Sequence, residues 1–290
     1  MKQELKNKIL VPVITPFTED GTVNYEALKK HVRFVLDCGA DGIYPGGSSA
    51  ECFLMNDDER EKVMETCIDA ADGAFVVANV SAIGSHNTER FARHAEKKGA
   101  DVISSVPPFY YGYSFDQIKG FYNDLANSVN IPTMIYNFGS GFSAAQFDSL
   151  LKNEKIKYIK YTATDYYTME QICSHSDVWV YSGKDECFLS ALAQGADGGI
   201  GTCYNYMVKK FIEIQKLFNE NKMAEALKVQ HACNEVIRIT CEVGLLSAVK
   251  YCTTVVSGND VGAARRPFTP LTDEAKKRLE VALEENGMLN

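Results

Sequence analysis

Apolar positions along this chain fall into two alternating patterns. Short unbroken runs rich in branched residues read as buried strands, and stretches with three- and four-residue spacing read as amphipathic helices. Strands are expected at Ile9–Thr15, Gly42–Tyr44, Phe75–Val80, Val102–Val106, Thr133–Tyr136, Ile156–Thr162, Val178–Tyr181 and Gly199–Cys203. Helices are expected between and after them at Tyr25–Leu36, Asp57–Ala71, His86–Lys98, Phe115–Val129, Ala144–Leu151, Tyr167–Cys173, Cys187–Ala193 and Val208–Asn219. Three further helical stretches follow, Ala224–Val243, Leu245–Val256 and Thr272–Glu285.

The tripeptide Gly-Ala-Asp recurs at 39–41, 99–101 and 195–197, each time after a helical stretch and before an apolar run. Glycine just past a helix end is the expected C-terminal cap. The spacings fit whole numbers of strand-plus-helix units of roughly 30 residues. Unbroken apolar strands alternating with helices imply a parallel sheet covered on both faces. Eight units predict an α/β fold, a (β/α)8 TIM barrel with a C-terminal helical extension. The domains expected are a catalytic barrel over 1–221 and a three-helix extension over 222–290. An open doubly wound sheet is the alternative, but Thr15-Pro16-Phe17-Thr18 after the first strand is no glycine-rich nucleotide loop.

With 290 residues and 46% hydrophobic content, the chain can form a large core without disulfides or metals. A net charge of −8 argues against a nucleic-acid partner, which needs a basic face. Apolar runs fall short of a membrane span, so no membrane association is expected. The nine cysteines form no CxxC pair, which suits reduced thiols and a cytoplasmic location. The five histidines show no close ligand spacing, so no histidine-rich metal site is expected.

In a barrel, reactive groups gather at the C-terminal strand ends. Lys160 lies inside the sixth strand, where Tyr158 and Thr162 share its face. An inward lysine is costly unless paired or neutral. As a neutral amine it suits Schiff-base chemistry: lowering its pKa from about 10.4 to about 7.5 raises the free amine at pH 7 roughly 600-fold. The alternative is a lysine paired with a carboxylate of a neighbouring strand. Tyr136 ends the adjacent fifth strand and is either a proton relay or a core tyrosine, one of 15 in the chain.

Gly46-Gly47-Ser48-Ser49-Ala50-Glu51 follows the second strand. It suits a carboxylate or phosphate, or is an ordinary turn capping the next helix. Asp185 and Glu186 suit sugar hydroxyls, or simply favour a helix N-terminus. Gly198-Gly199-Ile200-Gly201 falls where barrels often hold phosphate. Cys203, near the eighth strand end, is expected to pack as a small hydrophobe.

These strand-end motifs together resemble the N-acetylneuraminate lyases, in the class I aldolase superfamily that also contains dihydrodipicolinate synthase. The resemblance runs from Thr15-Pro16-Phe17 through GGSSAE (46–51), PPFYY (107–111), Tyr136-Asn137, the Lys160 strand, SGKDE (182–186) and GADGGIGT (195–202) to Arg266-Pro267-Phe268. It implies a lyase acting on a 2-keto acid such as pyruvate or sialic acid, in which Lys160 forms the Schiff base and no metal or organic cofactor is needed. Tyr136 resembles the relay tyrosine, and Ser48 and Ser49 the pair holding the pyruvate carboxylate. Tyr110, or Tyr111, resembles a relay tyrosine contributed by a neighbouring subunit of a homotetramer. Thr162, Gly183, Asp185, Glu186, Gly201 and Thr202 match positions contacting the sugar portion.

Dihydrodipicolinate synthases carry an arginine shortly after the Tyr-Asn pair. Phe138-Gly139-Ser140-Gly141-Phe142 has none, which favours the lyase branch. Three departures lie near the expected pocket. Ala50 stands where glycine is usual, a change expected to alter the loop's backbone angles. Phe138-Gly139 replaces an aliphatic-proline pair, and Thr202 replaces a common serine.

Overall fold

The computed structural model describes residues 8–139 and 141–289. Met1–Asn7, Ser140 and Asn290 therefore lie outside the described residues, including the ends of both expected domains and one residue of the Phe138–Phe142 stretch.

Eight parallel strands close into a barrel in sequence order. They are β1 (Lys8–Val11), β2 (Gly42–Ile43), β3 (Phe75–Asn79), β4 (Val102–Ser105), β5 (Thr133–Phe138), β6 (Ile156–Thr162), β7 (Trp179–Ser182) and β8 (Gly198–Ile200). The helices between and after them are α1 (Tyr25–Asp37), α2 (Asp57–Ala71), α3 (Ser85–Lys98), α4 (Phe115–Asn127), α5 (Ala144–Leu150), α6 (Tyr166–His175), α7 (Phe188–Ala193) and α8 (Tyr204–Asn219). Then come α9 (Met223–Val243), α10 (Leu245–Ser257) and α11 (Asp273–Glu285). Closure is made by β1 and β8, which pair Lys8 with Gly198 and Leu10 with Ile200. The expected TIM barrel is the observed fold.

Local chemistry explains the helix starts. Asn56 with Glu59, Ser114 with Gln117 and Ser143 with Gln146 form reciprocal capping boxes, each satisfying two otherwise orphaned amides. The Gly-Ala-Asp repeats have a two-part role. Gly39, Gly99 and Gly195 take φ of 99°, 100° and 95°, the left-handed geometry that ends a helix without strain. Each aspartate then grips one residue of the preceding strand. Asp41 brackets Ile9, Asp101 brackets Val76 and Asp197 brackets Val180: the backbone N–H of the aspartate donates to the strand carbonyl, and its carboxylate accepts the same residue's N–H at 2.8–2.9 Å. These clasps sit at the N-terminal end of the barrel, opposite the expected chemistry.

Leu10, Tyr44, Val77, Val102, Met134, Tyr136, Tyr158, Tyr181 and Ile200 fill the barrel interior. Larger apolar layers lie between strands and helices. Two expected strands prove too long. β1 ends at Val11 because Pro12 offers no N–H, and Pro12 and Ile14 bond instead to the Asn205 side chain. β8 ends at Ile200 because Thr202 and Cys203 curl into α8, which begins at Tyr204 and kinks at Met207 before the expected start at Val208. Asn205 also donates to the Thr202 carbonyl and bonds to buried His31, whose pKa burial lowers to about 4. It thus ties α1, β1 and β8 together beneath the catalytic end.

Candidate active site

Lys160 points into the barrel as strand alternation requires, with Lys157 exposed and Tyr158 buried. The side chain is 5% exposed. Its Nζ sits 4.3 Å from the ring centre of Tyr44 and 4.2 Å from that of Tyr136. Burial lowers its pKa to about 7, against a smaller upward pull from Asp185. The contrast with Lys250 is informative. That lysine is equally buried but is paired with Glu51 at 2.8 Å. Among the described residues, Lys160 has no carboxylate at ion-pair distance, so the paired-lysine alternative gives way to a desolvated amine.

Register places Tyr136 of β5 directly opposite Lys160 of β6. Burial pushes the Tyr136 phenol up to about 12, while the adjacent Ser48 and Thr162 hydroxyls pull it down. The phenol is therefore a neutral proton donor at pH 7 with two hydroxyl neighbours. Tyr44, which no sequence pattern marks, meets Tyr136 edge-on and presents a second ring face to the amine. Its hydroxyl is held by the Asn79 amide at 2.7 Å and the Ser104 hydroxyl at 2.9 Å. Tyr44 follows a two-residue strand, too short for period or propensity to mark it.

The Gly46–Glu51 loop is built for close approach. Gly46 has φ 73°, and a Cβ there would meet the Asn79 carbonyl at 2.8 Å. A Cβ on Gly47 would meet the Tyr44 ring at 2.9 Å. Ser48–Ala50 form one 3-10 turn that presents Ser48 outward, while buried Ser49 bonds the Thr202 hydroxyl at 2.7 Å. The expected distortion at Ala50 does not occur. Positive φ falls on Gly46 and on Glu51 (57°), so the Ala50 methyl is unstrained.

After β7, Asp185 is buried and accepts the Cys203 N–H at 2.7 Å, with burial raising its pKa to about 6. Glu186 is exposed and paired with Lys184 at 3.4 Å. Gln230 and Asn234 of α9 hold the carbonyls of Asp185 and Glu186. Gly183 and Gly201 are required by space. A Cβ at either would come within 1.9 Å of a side-chain oxygen, of Thr162 and Asp185 respectively.

Ser48, Ser49, Tyr136, Lys160, Thr162, Gly183, Asp185, Glu186 and Thr202 line one cavity of about 300 Å³ at the C-terminal strand ends. Its outer wall, unforeseen in the sequence, is apolar: Ile237 and Cys241 of α9 with Leu245 and Leu246 of α10. A wider surface cleft of about 950 Å³ runs along Phe17–Gly21 and Asp260–Pro270, away from Lys160.

One expected feature lies outside the cavity. Tyr110 is 83% exposed with φ 82°, Tyr111 is 66% exposed, and within one chain neither lines the Lys160 cavity. In the Gly198–Gly201 run, Ile200 lines the cavity, while the glycines are packed closely against their neighbours. A Cβ on Gly198 would strike the Lys8 carbonyl, and one on Gly199 the Tyr204 hydroxyl. Gly198 and Gly199 pair with β1 and serve barrel closure. Cys203 is buried with its thiol pKa pushed up by burial, consistent with packing.

A (β/α)8 barrel carrying a desolvated, unpaired lysine on its sixth strand, beside a phenol and a hydroxyl-lined turn, defines an enzyme of the Schiff-base-forming class. The chain belongs to the dihydrodipicolinate synthetase family, whose pattern matches residues 5–286. It is 36% identical to N-acetylneuraminate lyase of Rhizobium meliloti (strain 1021), over 88% of this chain and 87% of the relative. It is 34% identical to N-acetylneuraminate lyase 2 of Escherichia coli O6:H1, over 94% and 92%. Among solved structures, CdNal from Clostridium difficile, in complex with mannosamine, superposes with a TM-score of 0.93 at 32% identity, covering 97% of this chain and 99% of that one.

Proposed function

We propose that this chain is a class I pyruvate aldolase cleaving N-acetylneuraminate to N-acetylmannosamine and pyruvate. The observation that carries the reading is Lys160, an amine lowered to about pKa 7 in the barrel interior without a carboxylate partner. Lysine in this state is a nucleophile near neutral pH. It attacks the C2 carbonyl of the open-chain sugar acid, and loss of water leaves a cationic imine. That imine takes up the electron pair of the C3–C4 bond as it breaks. Tyr136 relays the C4 hydroxyl proton: its phenol passes its own proton to the substrate carboxylate as its oxygen accepts the one leaving C4. The resulting enamine is protonated at C3, and water releases pyruvate and Lys160.

Ser48 and Ser49 hold the keto-acid carboxylate at the mouth of β2. Thr162, Gly183, Asp185, Glu186, Gly201 and Thr202 receive the hydroxylated chain. No residue of Phe138-Gly139-Ser140-Gly141-Phe142 is basic, so a second carboxylate finds no partner there. This disfavours condensation with aspartate semialdehyde. Tyr110 reaches the relay of a neighbouring subunit in a homotetramer, and its exposure on one chain supports that role. The division into a barrel (1–221) and a three-helix extension (222–290) belongs to this reading, supported by α9–α11 following the eighth strand-plus-helix unit. No helix among the described residues is long and apolar enough to cross a membrane, and the location proposed is cytoplasmic.

Borohydride trapping with pyruvate tests the chemistry. A pyruvyl adduct mapped to Lys160 and absent from Lys160→Ala is expected. A folded protein that yields no adduct overturns the assignment.

A further inference from the structure

The turn bearing Ser48 and Ser49 ends at Glu51, a non-glycine residue held at φ 57°. Left-handed backbone at such a residue costs free energy and persists only where surroundings enforce it. The surroundings here are specific. The Glu51 carboxylate is fully buried and meets Lys250 Nζ of α10 at 2.8 Å, with the lysine 1% exposed. Its other oxygen accepts the backbone N–H of Arg265 at 2.7 Å. Lys250 also donates to the Ala263 carbonyl at 2.9 Å and lies 4.1 Å from the Phe17 ring centre. The Arg265 guanidinium bonds the carbonyls of Gly21 and Leu54 and pairs with Glu59 at the start of α2. The Glu51 N–H itself donates to the Ser48 carbonyl, closing the turn from inside.

None of these charges reaches Lys160 or lines the reactive cavity. A buried ion pair is a poor source of net stability, since desolvation offsets its attraction. Its rigid geometry is another matter. Removing one partner leaves the other charge buried and unpaired, so the pair enforces a single arrangement of whatever it joins.

We propose that Glu51 and Lys250 are positioning residues for the keto-acid carboxylate: they lock the Ser48–Ser49 turn from below, so that α10 sets the affinity of the barrel for pyruvate without touching it. The inference rests on the proposed role of Ser48 and Ser49.

The test uses the full-length protein in four forms: wild type, Lys250→Met, Lys250→Arg, and Glu51→Gln with Lys250→Met. The pyruvate concentration giving half-maximal borohydride-trapped adduct is measured, with circular dichroism and thermal unfolding as checks of fold. Failure of the wild type to form an adduct condemns the underlying reading and not the clamp. With wild-type adduct in hand, Lys250→Met is expected to raise the half-saturating pyruvate about tenfold, with the same maximal labelling of Lys160, because small misplacement of binding groups is costly. Lys250→Arg, which keeps the charge, is expected to recover most of the affinity. The doubly neutral variant folds with a compatible core yet stays weak for pyruvate. Half-saturation within twofold of wild type in a folded Lys250→Met or double variant overturns the proposal. So does failure of every variant to fold, which assigns the pair to folding alone.

Discussion

Two opposing influences act on the Lys160 amine. Burial disfavours its ammonium form, while the faces of Tyr44 and Tyr136 and the more distant Asp185 carboxylate favour it. Burial prevails, and the pKa falls to about 7. The nucleophile is the neutral amine, so adduct formation with pyruvate falls as pH drops through about 7. Asp185 raises the lysine pKa, so Asp185→Asn moves this acid limb to lower pH. Rates of borohydride-trapped adduct formation between pH 5 and 9 read the limb directly. A limb that stays or rises in the variant contradicts the coupling. Pyruvate alone is the right probe, because it separates the lysine from any effect of Asp185 on the sugar.

At the scale of single elements, β6 has the bounds its residue pattern predicts, and the errors cluster where chain direction changes. The apolar pattern overextends β1 and β8 because Val13, Ile14 and Cys203 are apolar and buried, yet they pack in connecting segments that form no ladder. Periodicity detects burial, and burial does not distinguish a strand from a loop pressed beneath helices. Lys160 and Tyr136 were legible because strand alternation and strand adjacency are local rules. Tyr44 was not, because its significance lies in what faces it. The Glu51–Lys250 pair joins residues far apart in sequence, and no spacing rule reaches that distance.

The Gly-Ala-Asp repeat was read as helix caps, and its aspartates turn out to clasp strands. Asp101→Ala strips the carboxylate acceptor from the Val76 N–H, at a cost of about 1–3 kcal/mol if that amide stays dry. The expected result is a lower unfolding temperature with kcat and KM unchanged, since the clasp lies at the end of the barrel away from Lys160. Altered kinetics in the folded variant contradict that separation.

Across the whole molecule, the exposed aromatic residues Phe53, Tyr110 and Tyr111 stand out, with Phe53 against Phe109 at 4.9 Å between ring centres. On the proposed reading this aromatic group is where neighbouring subunits meet. On the proposed reading the protein sediments at four times its 32.2 kDa chain mass. Phe53→Glu is expected to dissociate it and lower sialic acid cleavage about tenfold or more, because the neighbour's tyrosine leaves the site. A fully active monomer refutes the shared site.

Barrel closure by β1 and β8 has a consequence for how the chain is made. The first strand leaves the ribosome with one edge that only β8 can cover. About 190 residues separate them, so at roughly 5–20 residues per second that edge stays open for about 10–40 s. An unpaired strand edge is a template for mispairing with other chains. The risk is greatest for nascent chains stalled before β8, and a folding helper that shields the open sheet during that interval meets this need. The last free edge is lost once β8 has emerged, while α9–α11 are still to be made.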